Sequence, residues 1–145
     1  EDNETRLLVI FFEDSRLDVR AEEMKIRTQA LTLLQLDYAV AKANGDESRL
    51  LFEGDSDQGI TGMRFDPHHG KWSPSTNWYQ AGPIIDREDI HWGFGTKDGN
   101  KVVIASKFGH HVKPLLGPTP LIAAMRCFVQ SRLGDKVEIP GELCK

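Results

Sequence analysis

"TPLIAAMRCFVQSRLG", Thr119 to Gly134, is the segment whose reading decides the fold. Thr119 can accept hydrogen bonds from the free N–H groups of a first helical turn. Pro120 suits the first helical position, where its missing N–H costs nothing, and Gly134 supplies the stop. Leu121, Ile122, Met125, Phe128, Val129 and Leu133 recur at three- and four-residue steps, with Arg126, Gln130 and Arg132 off that stripe. The pattern predicts an amphipathic helix docked on a sheet. The sheet is announced just upstream, where Ile90, Trp92 and Phe94 alternate with His91, Gly93 and Gly95. Asp98-Gly99 is a favoured two-residue turn, and "VVIASKF" returns as the partner strand.

Working outward, "TQALTLLQLDYAVAKANG" (Thr28–Gly45) reads as a second helix. Leu33, Leu36, Val40 and Ala43 mark its apolar face, joined by Leu34 and Ala41, with Thr28 as cap and Gly45 as stop. Short strands are expected around Leu50–Phe52, across Ile60–Phe65, in "RLLVIFF" near the start and in "DKVEIP" near the end. The fold class that follows is α+β: an antiparallel sheet with two main helices packed on one face.

A chain of 145 residues fits one domain with a sizeable core. The net charge of −4 is no footprint for a phosphate backbone, so nucleic acid is not an expected partner. No apolar run approaches membrane-spanning length. The apolar core of "RLLVIFFED" is too short for a secretory signal. Two sparse cysteines, Cys127 and Cys144, give neither a disulfide framework nor a zinc site, and a reducing cytoplasm is the expected compartment. Residues 1–23 hold eight acids against three arginines, a net of −5, which leaves +1 for residues 24–145. Residues 1–23 therefore read either as an acidic N-terminal extension or as a first strand leading into the domain, with 24–145 as the globular unit.

No residue pattern announces catalysis. The histidines fall as His68-His69, His91 and His110-His111, and adjacent residues on a strand point opposite ways. No HExxH or CxxC spacing pre-organises metal ligands, so no metal and no cofactor is expected. Asp86, Glu88 and Asp89 read as a solvated charged turn. Lys113 and Gly117, ahead of the last helix, read as a rigid loop rather than an anion site.

"WSPSTNWYQAGPII" (Trp72–Ile85) holds the densest unusual chemistry. Ser73 as cap and Pro74 as first residue predict one or two helical turns over residues 74–81, ended by Gly82 and Pro83. Trp78 and Ala81 then face inward, Ile84 and Ile85 open the next strand, and Asn77, Tyr79 and Gln80 line a small polar pocket.

Three blocks, "LQLDYAVAKANG" (Leu34–Gly45), "YQAGPIIDRE" (Tyr79–Glu88, after "WSPSTNW") and "GPTPLIAAMRCFVQSRLGDKVEIP" (Gly117–Pro140), resemble the NinX-like family of small phage and prophage proteins. The resemblance spans roughly residues 24–142. Leu33 departs from it, since the family tends to place a glycine before "LD". The resemblance implies a phage or prophage origin and action in a bacterial cytoplasm. It implies no reaction, and it makes Asp37, Ser75, Thr76, Asn77, Trp78, Gly82, Pro83, Thr119, Pro120 and Arg126 parts of a shared frame or a shared pocket.

These readings converge on a non-enzymatic phage accessory module that binds a nucleotide-like small ligand or a host protein. Its candidate ligand-binding residues are Ser75, Thr76, Asn77, Trp78, Tyr79, Gln80, His91 and Arg126. Two alternatives stay open. One is a small enzyme on a nucleotide or metabolite, using His91 or Asp86 as acid–base group. The other is a nucleic-acid-associated regulator with Lys107, Lys113, Arg126 and Arg132 gathered on one face.

Overall fold

In the computed structural model, which describes residues 5–11, 18–66, 68–109 and 113–144, two strands come first, β1 (Thr5–Phe11) and β2 (Asp18–Arg27). Helix α1 (Leu33–Ala43) is followed by β3 (Leu51–Asp55) and β4 (Gly59–Arg64). Helix α2 (Trp78–Arg87) leads into the hairpin β5 (Ile90–Lys97) and β6 (Asn100–Lys107). The short β7 (Leu115–Gly117), helix α3 (Pro120–Leu133) and β8 (Lys136–Pro140) complete the order. The class is α+β as expected, and every described strand pairing is antiparallel. The strands divide into three ladders, β1–β2–β8, β3–β4 and β5–β6–β7. Strand β2 runs through Met24, which lies opposite both Thr5 and Ile139.

Helix α3 begins and ends where its signals put it. The Thr119 hydroxyl accepts the Ile122 N–H at 3.2 Å, Pro120 sits in the first turn, and Gly134 follows at φ +89°. Its environment is richer than one stripe on one sheet. Strands β5, β6 and β7 pack on it, and so do α1 and α2. Ala123, Ala124 and Cys127 are therefore buried along with the large apolar residues. Small side chains make this possible, because they let neighbouring backbone come close. A Cβ added to Gly117 would lie 2.7 Å from the Ala123 nitrogen, which only glycine avoids. Phe128, Met125 and Val129 of α3 meet Leu36 and Val40 of α1, Met63 and Ile139 in one continuous core.

The β5–β6 turn takes the form its sequence asks for. Asp98 and Gly99 both have positive φ, +54° and +80°, and Lys97 pairs with Asn100, the geometry of a type I′ turn.

Two helix boundaries differ from the expected ones. Helix α1 starts at Leu33, and Thr32 takes the cap position, its N–H donating to the Gln35 side chain at 3.0 Å. Thr28 is buried elsewhere, donating through its hydroxyl to the Gly134 carbonyl at 2.6 Å and so fastening the end of β2 to the end of α3. Leu33, expected on the apolar face, is 47% exposed.

The larger correction is α2. It does not occupy residues 74–81 and stop at Gly82-Pro83. It starts at Trp78, passes through both residues, and ends at Arg87. Pro83 lacks the N–H that would bond the Tyr79 carbonyl, a cost of about 3 kcal/mol in a helix interior. That carbonyl belongs to a residue 90% exposed, where solvent can satisfy it, and burial of Ala81 and Ile84 against the core offsets the rest. Ile84 and Ile85 are accordingly helical rather than the start of a strand.

Candidate functional site

The residues before α2 are held by hydrogen bonds that originate on α1. Asp37 is buried, and its carboxylate accepts the Ser75 N–H at 2.8 Å. The Trp72 indole N–H donates to the Asp37 carbonyl at 2.8 Å. Burial pushes the Asp37 carboxyl up to about 6, against the opposing pull of the Ser75 donors and the Lys71 charge. Gln80 staples the same loop, accepting the Ser73 N–H at 2.7 Å and donating to the Lys71 carbonyl at 2.8 Å. Asn77 caps α2 by accepting the Tyr79 N–H at 2.8 Å. Of the three residues expected to line a polar pocket, Asn77 and Gln80 are occupied with backbone and Tyr79 is exposed to solvent. Ser75 is buried in the tether, and Thr76 is exposed beside it.

Arg126 also serves the frame. Its guanidinium donates to the Leu116 carbonyl at 2.7 Å and the Leu31 carbonyl at 3.1 Å, tying β7 and the approach to α1 onto α3.

At the far end of α2 a second buried carboxylate appears, one that the sequence places in a solvated turn. Glu88 accepts from Lys107 Nζ at 2.7 Å, Arg132 Nη2 at 2.7 Å and Arg87 Nε at 2.9 Å. Burial by itself raises its carboxyl. Hydrogen bonds from Lys107 and Arg87, with the charges of Lys107 and Arg132, override that and hold it at about 2. The two guanidiniums also lie over the Phe128 ring, at 5.6 Å for Arg87 and 5.3 Å for Arg132. Glu88 thus joins α2, β6 and α3. Lys107 and Arg132 do come together, but around Glu88 rather than as a free basic face.

Two of the expected site residues, Trp78 and His91, line one open cleft of about 340 Å³. Trp78, Gly82, Ile85 and Asp86 form one face of α2, spaced by four, three and one, and Asp89, Ile90 and His91 supply the opposite wall. The cleft continues into an exposed aromatic row. Trp78 packs on Trp92 with ring centroids 6.3 Å apart, and Trp92 on Phe94 edge-to-face at 6.0 Å. These rings are 51%, 39% and 63% exposed. The period-two pattern of β5 therefore turns Ile90 into the core but leaves Trp92 and Phe94 at the surface. Their cross-strand partners Ala105 and Val103 are buried, so the row sits along the rim of the helix-covered face.

His91, His68 and His69 are all exposed, and His110-His111 lies outside the described residues. Among the described residues no group of three metal-ligating side chains converges. Beyond the Lys113–Gly117 approach, the α3 Ile122 N–H is already taken by the Thr119 hydroxyl, and Gly117 is packed against Ala123. No helix among the described residues is long and apolar enough to cross a membrane.

Sequence reasoning placed Glu88 in a solvated turn and reached Asp37 only through the family resemblance, so neither was read as a buried anchor. Asp37 stands inside the apolar run "LLQLDYAVA", and Glu88 lies within "IIDREDI", which were the available signals. The unusual chemistry of the 72–80 loop turns out to be the means by which that loop is fastened to Asp37.

The family model described as "Bacteriophage P22, NinX" matches residues 27–132, which takes in the Asp37 tether, all of α2, the aromatic cleft and the Glu88 cluster. Among curated proteins nothing matches the chain. Covering nearly three quarters of the sequence, the family match agrees with the three blocks around α1, α2 and α3, and the chain belongs to the NinX family of phage proteins.

Proposed function

We propose that this phage accessory protein is a non-enzymatic binding module, and that its α2–β5 cleft with the aromatic row Trp78–Trp92–Phe94 takes a segment of a partner protein. The observation that carries this reading is the exposure of three aromatic rings packed in a row beside an open cleft. Soluble domains rarely leave such a row uncovered, and aromatic anchors beside a cleft are the usual energetic centre of an interface. A nucleotide fits less well, because its phosphates would meet Asp86 and Asp89. Asp86 and His91, the expected acid–base groups, do line the cleft, but both are exposed to solvent there. The buried carboxylates Asp37 and Glu88 face the core tether and the cation cluster, and neither lines the cleft.

The test is site-specific photocrosslinking in phage-infected cells, with a photoreactive phenylalanine analogue at Phe94 and, as a control, at exposed Thr61 on the other hairpin. The expected result is a discrete protein adduct at Phe94 that Trp92→Ser abolishes. Equal labelling at both positions, or adducts at neither, would remove the reading.

A further inference from the structure

Asp89 occupies a position that local energetics oppose three times over. It follows the C-terminal end of α2 in left-handed backbone, φ +53°, where glycine is the usual choice. Its negative charge, with that of Asp86 one turn earlier, sits at the negative end of the helix dipole. Neither carboxylate has an ion pair with any described residue, although Arg87 and Glu88 between them are fully engaged. Both unpaired acids line the same cleft as Trp78. On the adjoining aromatic row a cation already rests on a ring, Lys101 Nζ lying 4.2 Å from the Phe94 centroid.

Resting on the binding-module reading, we infer that the cleft accepts the lysine or arginine side chains of a basic segment in the partner protein. Asp86 and Asp89 provide the counter-charge, and the Trp78 face, continued by Trp92, provides the cation–π platform. Two acids and an indole around one open space are complementary to a cation with an apolar stem, and they repel a phosphate. A locally unfavourable Asp89 has a reason to be there if its carboxylate is used.

The experiment titrates the full chain with a hexa-arginine peptide, following tryptophan emission and the heat of binding. A hexaglutamate peptide and a short single-stranded oligothymidylate serve as the opposing probes. Hexa-arginine is expected to bind and perturb the emission, and the other two are expected not to. Asp86→Asn and Asp89→Asn should each weaken hexa-arginine roughly fivefold, and Trp78→Ala at least as much. Asp57→Asn, which removes one charge from the distant β3–β4 turn, should change it less than about twofold. Asp89→Gly is the folding control: it relieves the left-handed backbone, so it should raise the melting temperature while weakening the peptide. Equal losses from Asp57→Asn and Asp89→Asn would reduce the effect to net charge and overturn the inference, as would tighter binding of hexaglutamate or oligothymidylate. If crosslinks at Phe94 form but map to neutral or acidic partner segments, the binding module stands and the cation specificity falls.

Discussion

Asp37 and Glu88 are both buried carboxylates within this one core, and they sit at opposite ends of the carboxylate range. Asp37 has Ser75 rather than a cation as its hydrogen-bond partner, with the Lys71 charge further off, and burial raises it to about 6. Glu88 lies among three cations within 2.9 Å, and burial loses to them, leaving it at about 2. Depth alone therefore does not decide how a buried acid behaves, because the partners brought to it decide the sign. A dipolar donor orders a loop at the expense of carrying a desolvated charge, whereas a ring of cations makes the charge itself the fastening.

The consequences for pH run in opposite directions. Between the ordinary value of 3.8 and about 6, the folded state holds a proton on Asp37 that the unfolded chain has released. Stability from this group is full at the acid side of that window and falls as pH rises through it. Glu88 is the reverse. Between 4.5 and about 2 the unfolded chain takes up a proton that the folded state refuses, so stability falls as pH drops. The two limbs meet near pH 4.

Removing Glu88's charge should do the most damage. Glu88→Gln leaves Lys107, Arg87 and Arg132 facing one another, and urea unfolding at pH 7 should show a loss of about 3 kcal/mol. The acid limb below pH 4.5 should flatten in the same variant. Asp37→Asn is expected to act the other way round. An amide oxygen still accepts the Ser75 N–H but carries no charge, so the decline in stability from pH 4 to 7 should shrink by roughly 2–3 kcal/mol. An unchanged pH profile in Asp37→Asn would mean that the carboxylate is better solvated than its burial indicates. Lys107→Met, which deletes the least exposed of the three cations, should cost about 1–2 kcal/mol and raise the Glu88 carboxyl. The smallest effect is expected from Arg87→Met. Its side chain is half exposed and Glu88 keeps two cations, so the loss should stay under about 1 kcal/mol and diminish in high salt.

How much of this was legible depends on whether the signal is local. The cap, first-turn proline and terminal glycine of α3, and the Asp98-Gly99 turn, act within four residues, and each appears where the sequence puts it. The Gly82-Pro83 stop fails because a local preference worth about 3 kcal/mol competes with burial of Ala81 and Ile84, which no neighbour in sequence reports. Of the eight expected site residues, Trp78 and His91 reach the cleft. Asn77, Gln80 and Arg126 are used on backbone partners, Ser75 gives its own N–H to the Asp37 carboxylate, and Thr76 and Tyr79 are exposed outside it. A polar side chain announces that it needs a hydrogen bond but not whose, and the Asp37–Ser75 partnership spans 38 residues.

The sequence by itself determined the α+β class, the central helix α3 and the type I′ hairpin, because caps, turns and periodicity act through covalent neighbours, and its three blocks carried the resemblance to the phage family. Only the tertiary structure decided that two carboxylates would be buried with opposite partners, that α2 would run through its proline, and that Trp78, Trp92 and Phe94 would stand together uncovered. Those outcomes depend on which distant groups arrive at the same place, and desolvation and charge pairing take effect only once they have arrived.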